Sequence, residues 1–102
     1  YHSSCDEPGI VGVIEIVKPG YPDNTAFDRK HDHYDAASKP ESPRWYMVDV
    51  RLKQRFSRVI SLDELRRHES KQLREMLILK RGNRLSITPI DASHWKFIMS
   101  LQ

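Results

Sequence analysis

A single cysteine, Cys5, stands among the 102 residues. It excludes an internal disulfide and has no partner for a zinc knuckle, so a reducing, cytoplasmic-type compartment suits the chain, or a nuclear one if its source is eukaryotic. Long apolar runs are also missing. The longest near the start, Ile10 to Ile14, is interrupted by Gly12 and followed by Glu15, well short of the roughly 18 to 20 apolar residues of a membrane span. No secretory signal is recognisable. Glycine is scarce, with four residues and no Gly-rich phosphate loop. Neither a Gly-x-Ser-x-Gly elbow nor a His-Glu-x-x-His helix occurs, and there is no internal repeat or low-complexity tract. These absences thin the case for an enzyme.

What is present reads as one small folded domain. An apolar fraction of 38% beside 30% charged residues is too balanced for disorder, and 102 residues support one core. The chain opens on Tyr1 with a polar run that looks like the end of a strand, so an N-terminal portion of the domain is expected beyond it. The net charge of +3 hides an uneven distribution. Residues 1 to 43 carry eight acids against four bases. Residues 44 to 58 carry Arg44, Arg51, Lys53, Arg55 and Arg58 against Asp49 alone, and Lys80, Arg81 and Arg84 form a second basic stretch. Clustered cations attract a polyanion. The acidic segment 21 to 43 leaves a protein-interaction module as a separate reading.

Apolar and β-branched residues from Ile10 to Lys18 occupy both faces of a pleat, predicting a central strand buried on both sides. Pro19, Gly20 and Pro22 predict its end, followed by a long polar loop to Pro43 with one helical turn around Thr25 to Arg29. Trp45 to Phe56 alternates, with Tyr46, Val48, Val50 and Leu52 facing inward and a basic outer face. Ser61 and Glu64 have capping-box spacing, predicting a helix from Ser61 and a second short one around Gln72 to Met76. Arg84 to Ile90 reads as a further strand. Asp91 is placed to cap a C-terminal helix whose apolar face comprises Trp95, Phe97, Ile98, Met99 and Leu101.

Three constellations carry chemistry. Trp45 with Arg44, Arg51 and Lys53 offers a flat face for stacking a base beside cations for phosphates, and equally fits a core tryptophan beneath a solvated basic face. Tyr1-His2-Ser3-Ser4-Cys5 gathers groups able to hydrogen-bond a base edge. A Cys5–His2 nucleophile pair is conceivable there, yet no orienting third group is identifiable for it. An enzyme or enzyme accessory acting on modified nucleotides would use His2, Cys5 and Asp49 as acid, base or nucleophile. His31-Asp32-His33, flanked by Asp28 and Asp35, could ligate a metal but matches no closed zinc spacing.

Four segments share one likeness: Tyr1 to Ile10 (YHSSCDEPGI), Gly20-Tyr21-Pro22-Asp23, Pro43 to Val50 (PRWYMVDV) and Arg84 to Ile90 (RLSITPI). In this order, with the closing Trp95-Lys96-Phe97-Ile98, the chain resembles the EVE domain. The resemblance implies an α+β fold, a PUA-like mixed β-barrel with short peripheral helices spanning residues 1–102, related to ASCH and YTH domains. It implies a non-catalytic domain that reads a modified base, usually a modified cytosine, in DNA or RNA, without cofactor or metal. Carried residue by residue, the base pocket comprises His2, Ser3, Ser4, Gly12, Trp45, Met47, Asp49, Arg84, Leu85 and Ser86. In a reader of this kind the cations Arg51, Lys53 and Arg81 of the basic stretches are expected on phosphates. Ser4 stands where relatives commonly have Asn. The family's opening Trp-Leu-x-Lys-Ser-Glu-Pro strand and its Trp-Asp-Gly-Val-Arg-Asn segment do not occur here.

Overall fold

β-branched side chains fit a pleated surface, and the run beginning at Gly9 forms strand β1 (Gly9–Pro22). The alternating segment after Trp45 forms β2 (Tyr46–Ser61), and β1 and β2 pair in a two-stranded sheet. The computed structural model describes residues 1–82 and 85–102, in two units: Tyr1–Gly12 with Arg55–Gln102, and Val13–Gln54. The pairing is antiparallel. Within the second unit the Asp23 N–H donates to the Trp45 carbonyl at 2.9 Å, while Glu15, earlier in β1, meets Arg51, later in β2, at 3.0 Å.

Both strands outrun their predicted ends. β1 continues through Pro19, Gly20 and Pro22 because, among the described residues, each strand has a neighbour on one side only, and proline is tolerated where its missing N–H faces away from the ladder. β2 continues five residues beyond Phe56 to Ser61. The expected burial of these strands is not met. Ile14, Ile16, Val17, Tyr46, Val48, Val50 and Leu52 are all exposed, Ile16 to 62%. Among the described residues there is an antiparallel sheet with short helices and no closed barrel.

The apolar core belongs to the first unit, where Phe56, Ile60, Leu65, Leu73, Met76, Leu79 and Ile98 are buried. In the second unit the buried residues are Ala26 and Ser38. Helix α1 (Leu62–Arg66) starts where its sequence directs: the Ser61 hydroxyl accepts the Glu64 backbone N–H at 3.1 Å. The Glu64 carboxylate pairs with Arg58 at 2.6 and 3.0 Å, and Arg58 also donates to the Leu101 carbonyl. Arg58, one of the cations in the basic stretch, therefore ties β2 to both helices of its unit. Ser61→Ala should cost about 1 kcal/mol, the usual worth of a cap. A lower denaturant midpoint at unchanged slope would register it.

The second short helix lies later than expected, as a single 3-10 turn at Leu77–Leu79. Helix α2 (Ala92–Leu101) follows Asp91, whose carbonyl accepts the Trp95 N–H at 2.9 Å while its side chain makes no capping bond. Its inward face is His94 and Ile98, and Trp95 points outward. The strand expected over 84–90 is absent from its described part. Arg84 lies outside the described residues, and residues 85–90 are irregular, with Ile87 88% exposed and Pro89 unable to donate to a ladder. No helix among the described residues is long and apolar enough to cross a membrane.

Candidate nucleic-acid interface

In the second unit the chain leaves β1 at Pro22, and Asp23 caps a 3-10 turn at Asn24–Phe27, close to the predicted helical turn. The Asp23 carboxylate accepts the Thr25 N–H at 2.9 Å and the Thr25 hydroxyl at 2.6 Å, both on Oδ1. These two bonds hold the Asp23 carboxyl below its ordinary range against the opposing effect of desolvation. The polar loop then folds back on its own start: the Asp35 N–H donates to the carbonyl of buried Ala26 at 3.0 Å.

That return fixes Trp45. The indole N–H donates to Asp35 Oδ2 at 2.6 Å, the Ala37 N–H donates to Asp35 Oδ1 at 2.9 Å, and the Arg44 guanidinium lies 3.6 Å from the same carboxylate. The Arg44 N–H in turn donates to the hydroxyl of buried Ser38 at 3.0 Å. The bond from Trp45 is the main cause that lowers the Asp35 pKa, followed by Ala37. Asp35 is thus ionised at neutral pH, and the contribution of this bond is lost only as pH falls through that depressed value.

Of the two placements open for Trp45, the structure has the outward one. Its side chain is tethered at the nitrogen yet the residue is 53% exposed, which leaves an aromatic surface available to a planar ligand. Trp45 lines a cavity of about 370 Å³ together with Asp23, Asp32, His33, Tyr34 and Tyr46, within the range of small-molecule sites. Aromatic surface and carboxylate acceptors converge there.

The other expected site residues divide between the units. Met47 and Asp49 lie on β2 in the second unit, Met47 half-buried and Asp49 exposed. Asp49 accepts the phenolic hydroxyl of Tyr21, which raises the Tyr21 pKa and keeps that hydroxyl a neutral donor. Arg51 donates to Glu15 at 3.0 Å, an exposed pair of small energy that a phosphate could displace. Lys53 is exposed on the same strand.

In the first unit His2 forms an isolated bridge with Gly9, at 2.9 and 3.1 Å, and its residue is exposed, as are Ser3 and Cys5. Ser4 adopts φ 57°, the left-handed region that asparagine tolerates better than most residues. Gly12 is half-buried, Leu85, Ser86 and Arg81 are exposed, and Arg84 is outside the described residues. The His31 and His33 rings lie 5.0 Å apart, tilted by 38°, and the His33 backbone N–H donates to His31 Nδ1 at 3.0 Å. Among the described residues no three His, Cys, Asp or Glu side chains form a metal-holding group.

The sequence did not place Asp23, Asp32, His33 and Tyr34 beside Trp45, and it turned the adjacent Tyr46 inward, whereas that residue is exposed on the cavity. The one available signal was the proximity of Tyr34 and Asp35 to histidine and acid residues in a long loop, a loop type often tied to function.

Comparison with known proteins supplies the family. The EVE domain model matches residues 1–101. Thymocyte nuclear protein 1 of Gallus gallus is 44% identical over 108 aligned positions, covering all of this chain and 44% of that protein; the Homo sapiens protein is 41% identical, covering 48% of its length. The chain thus spans less than half of these curated relatives. Among solved structures, a Pseudomonas syringae protein aligns with TM-score 0.91 and 39% identity over 99% of this chain and 66% of its own. Human thymocyte nuclear protein 1, solved in complex with DNA containing 5-methylcytosine, aligns with TM-score 0.88 and 41% identity over 99% of this chain and 62% of its own. A family model that covers residues 1–101 and relatives more than 40% identical across the whole chain lead to one conclusion: this chain belongs to the EVE domain family.

Proposed function

We propose that this chain is part of a non-catalytic nucleic-acid-binding domain that reads a methylated cytosine, with Trp45 as the stacking platform. The observation that carries the reading is the exposed indole held by Asp35 on a cavity of about 370 Å³. Stacking on such a ring is worth about 1–3 kcal/mol per base. The human relative's complex with 5-methylcytosine DNA supports the same ligand class and favours DNA over RNA. Arg51, Lys53 and Arg81 supply phosphate contacts in this reading, which gives affinity that falls as salt rises. His2, Ser3, Ser4, Gly12, Met47, Asp49, Arg84, Leu85 and Ser86 are further base contacts proposed on the resemblance. No residue is assigned a catalytic role, and the compartment is whichever holds the nucleic acid, cytoplasm or nucleus.

We also take β1 and β2 to be two strands of a PUA-like barrel whose N-terminal portion lies outside these residues. Their exposed apolar side chains, Ile14, Ile16, Val48, Val50 and Leu52 among them, support this, since a two-stranded ribbon is marginal in water on its own.

The test is binding of the full chain to matched oligonucleotides bearing cytosine, 5-methylcytosine, 5-hydroxymethylcytosine, adenine or 6-methyladenine at one position. A preference for one modified base is expected, and Trp45→Ala should weaken that complex roughly tenfold to a hundredfold. Equal binding to every oligonucleotide at low salt, or none, would sink the reading.

A further inference from the structure

A protein that reads 5-methylcytosine in DNA meets thymine far more often. Both bases carry a methyl group at C5. They differ at C4, where cytosine has an amino donor and thymine a carbonyl acceptor. Stacking on Trp45 cannot separate them, because every base offers a π-face. The distinction needs a group that accepts and never donates, and an ionised carboxylate is such a group.

Two carboxylates line the Trp45 cavity, Asp23 and Asp32. Asp32 is exposed. Asp23 is half-buried and oriented: Thr25 donates twice to its Oδ1, at 2.9 and 2.6 Å, so Oδ2 is the oxygen left for a ligand. Its position relative to the platform is also set, since the Asp23 N–H donates to the Trp45 carbonyl at 2.9 Å. Asp23 is a carboxylate at neutral pH, an acceptor only, and the Thr25 bonds favour that charged form further.

Resting on the reading that this cavity takes the base, we propose that Asp23 is the specificity-determining residue that selects a base with an exocyclic amino group and rejects thymine. A cytosine amine donates to Oδ2. Thymine O4 in the same place sets two acceptors against each other with no proton between them, and the lost hydrogen bond leaves both desolvated.

The substitution Asp23→Asn isolates this effect. Asparagine caps as well as aspartate. The two Thr25 donors hold its amide oxygen in the Oδ1 position, so the amide nitrogen, a donor, takes the place of Oδ2. Asp23→Ser keeps one capping oxygen and removes the second group altogether. The full chain and each variant are titrated with one duplex carrying 5-methylcytosine or thymine opposite the same guanine, with thermal unfolding as the control for fold. The parent is expected to favour 5-methylcytosine, and both variants to lose about tenfold of that ratio, Asp23→Asn more than Asp23→Ser, with little change in Tm. Trp45→Ala should weaken both duplexes alike. If Trp45→Ala loses binding while both folded Asp23 variants keep the parental ratio, the role of Asp23 is overturned and the base site stands. If Trp45→Ala binds as the parent does, the cavity is not the base site and both readings fall.

Discussion

Gly9→Ala is expected to destabilise the first unit by about 3 kcal/mol or more, at or beyond the upper end of ordinary overpacking. Gly9 opens β1 and is buried against β2. A Cβ there would lie 2.4 Å from the Ile60 carbonyl oxygen and 2.8 Å from the Ser61 Cα. Both obstacles are backbone, so no side-chain rotation relieves the clash. β1 would have to move off β2, at the expense of the bond from the Leu62 N–H to the Pro8 carbonyl at 2.8 Å and of the His2 bridge. For a domain whose total stability is on the order of 5–15 kcal/mol, this is a large fraction. Thermal unfolding of Gly9→Ala beside Gly20→Ala checks the cause. Gly20 has nothing within 4 Å of its would-be Cβ, so its alanine variant should unfold within about 0.5 kcal/mol of the parent. A similar Tm for both variants would mean that β1 tolerates displacement at Gly9.

Leu65→Ala should cost about 2–5 kcal/mol, the range for truncating a buried leucine to leave a cavity. Leu65 is 0% exposed, as are Ile60 from β2 and Leu73 from the turns after α1. Its helix has five residues, too few to persist on intrinsic propensity, so α1 depends on the packing of Leu65 together with the Ser61 cap and the Glu64–Arg58 pair. Ile16→Ala removes a comparable side chain from an exposed site and should cost far less in the same chain. Urea unfolding of the two variants measures the difference. Equal losses would indicate that Ile16 is covered by chain or partner in the protein as assayed.

The local signals were legible because each depends on a few neighbouring residues. Ser61 announced the start of α1, Asp91 that of α2, and Asp23 to Phe27 form a turn where Thr25 to Arg29 suggested one. Likewise, the four segments at 1–10, 20–23, 43–50 and 84–90, in order and with the closing Trp95 to Ile98, name the family. Strand ends were less legible, because Pro19 and Pro22 stop a central strand and are harmless at an unpaired edge. Alternation at Tyr46, Val48, Val50 and Leu52 specified one face of β2 without specifying what would cover it. The segment 84–90 had strand composition, and its described part has no ladder.

By itself, then, the sequence determined the starts of α1 and α2, the existence of β1 and β2, the separation of acidic from basic stretches and the family. The elements and the charge separation follow from spacing, capping chemistry and composition, which act over a few bonds or sum over the chain, and the family from the resemblance of its motifs. Tertiary structure alone decided that Trp45 faces outward, that Asp35 holds it from ten residues away, and that Tyr21 meets Asp49 across twenty-eight. It also decided that Asp23 shares a cavity with Trp45. Such pairings depend on where a long loop returns, and no local preference encodes that: the return is set by bonds such as that from Asp35 to Ala26, which exist only once the chain has closed on itself.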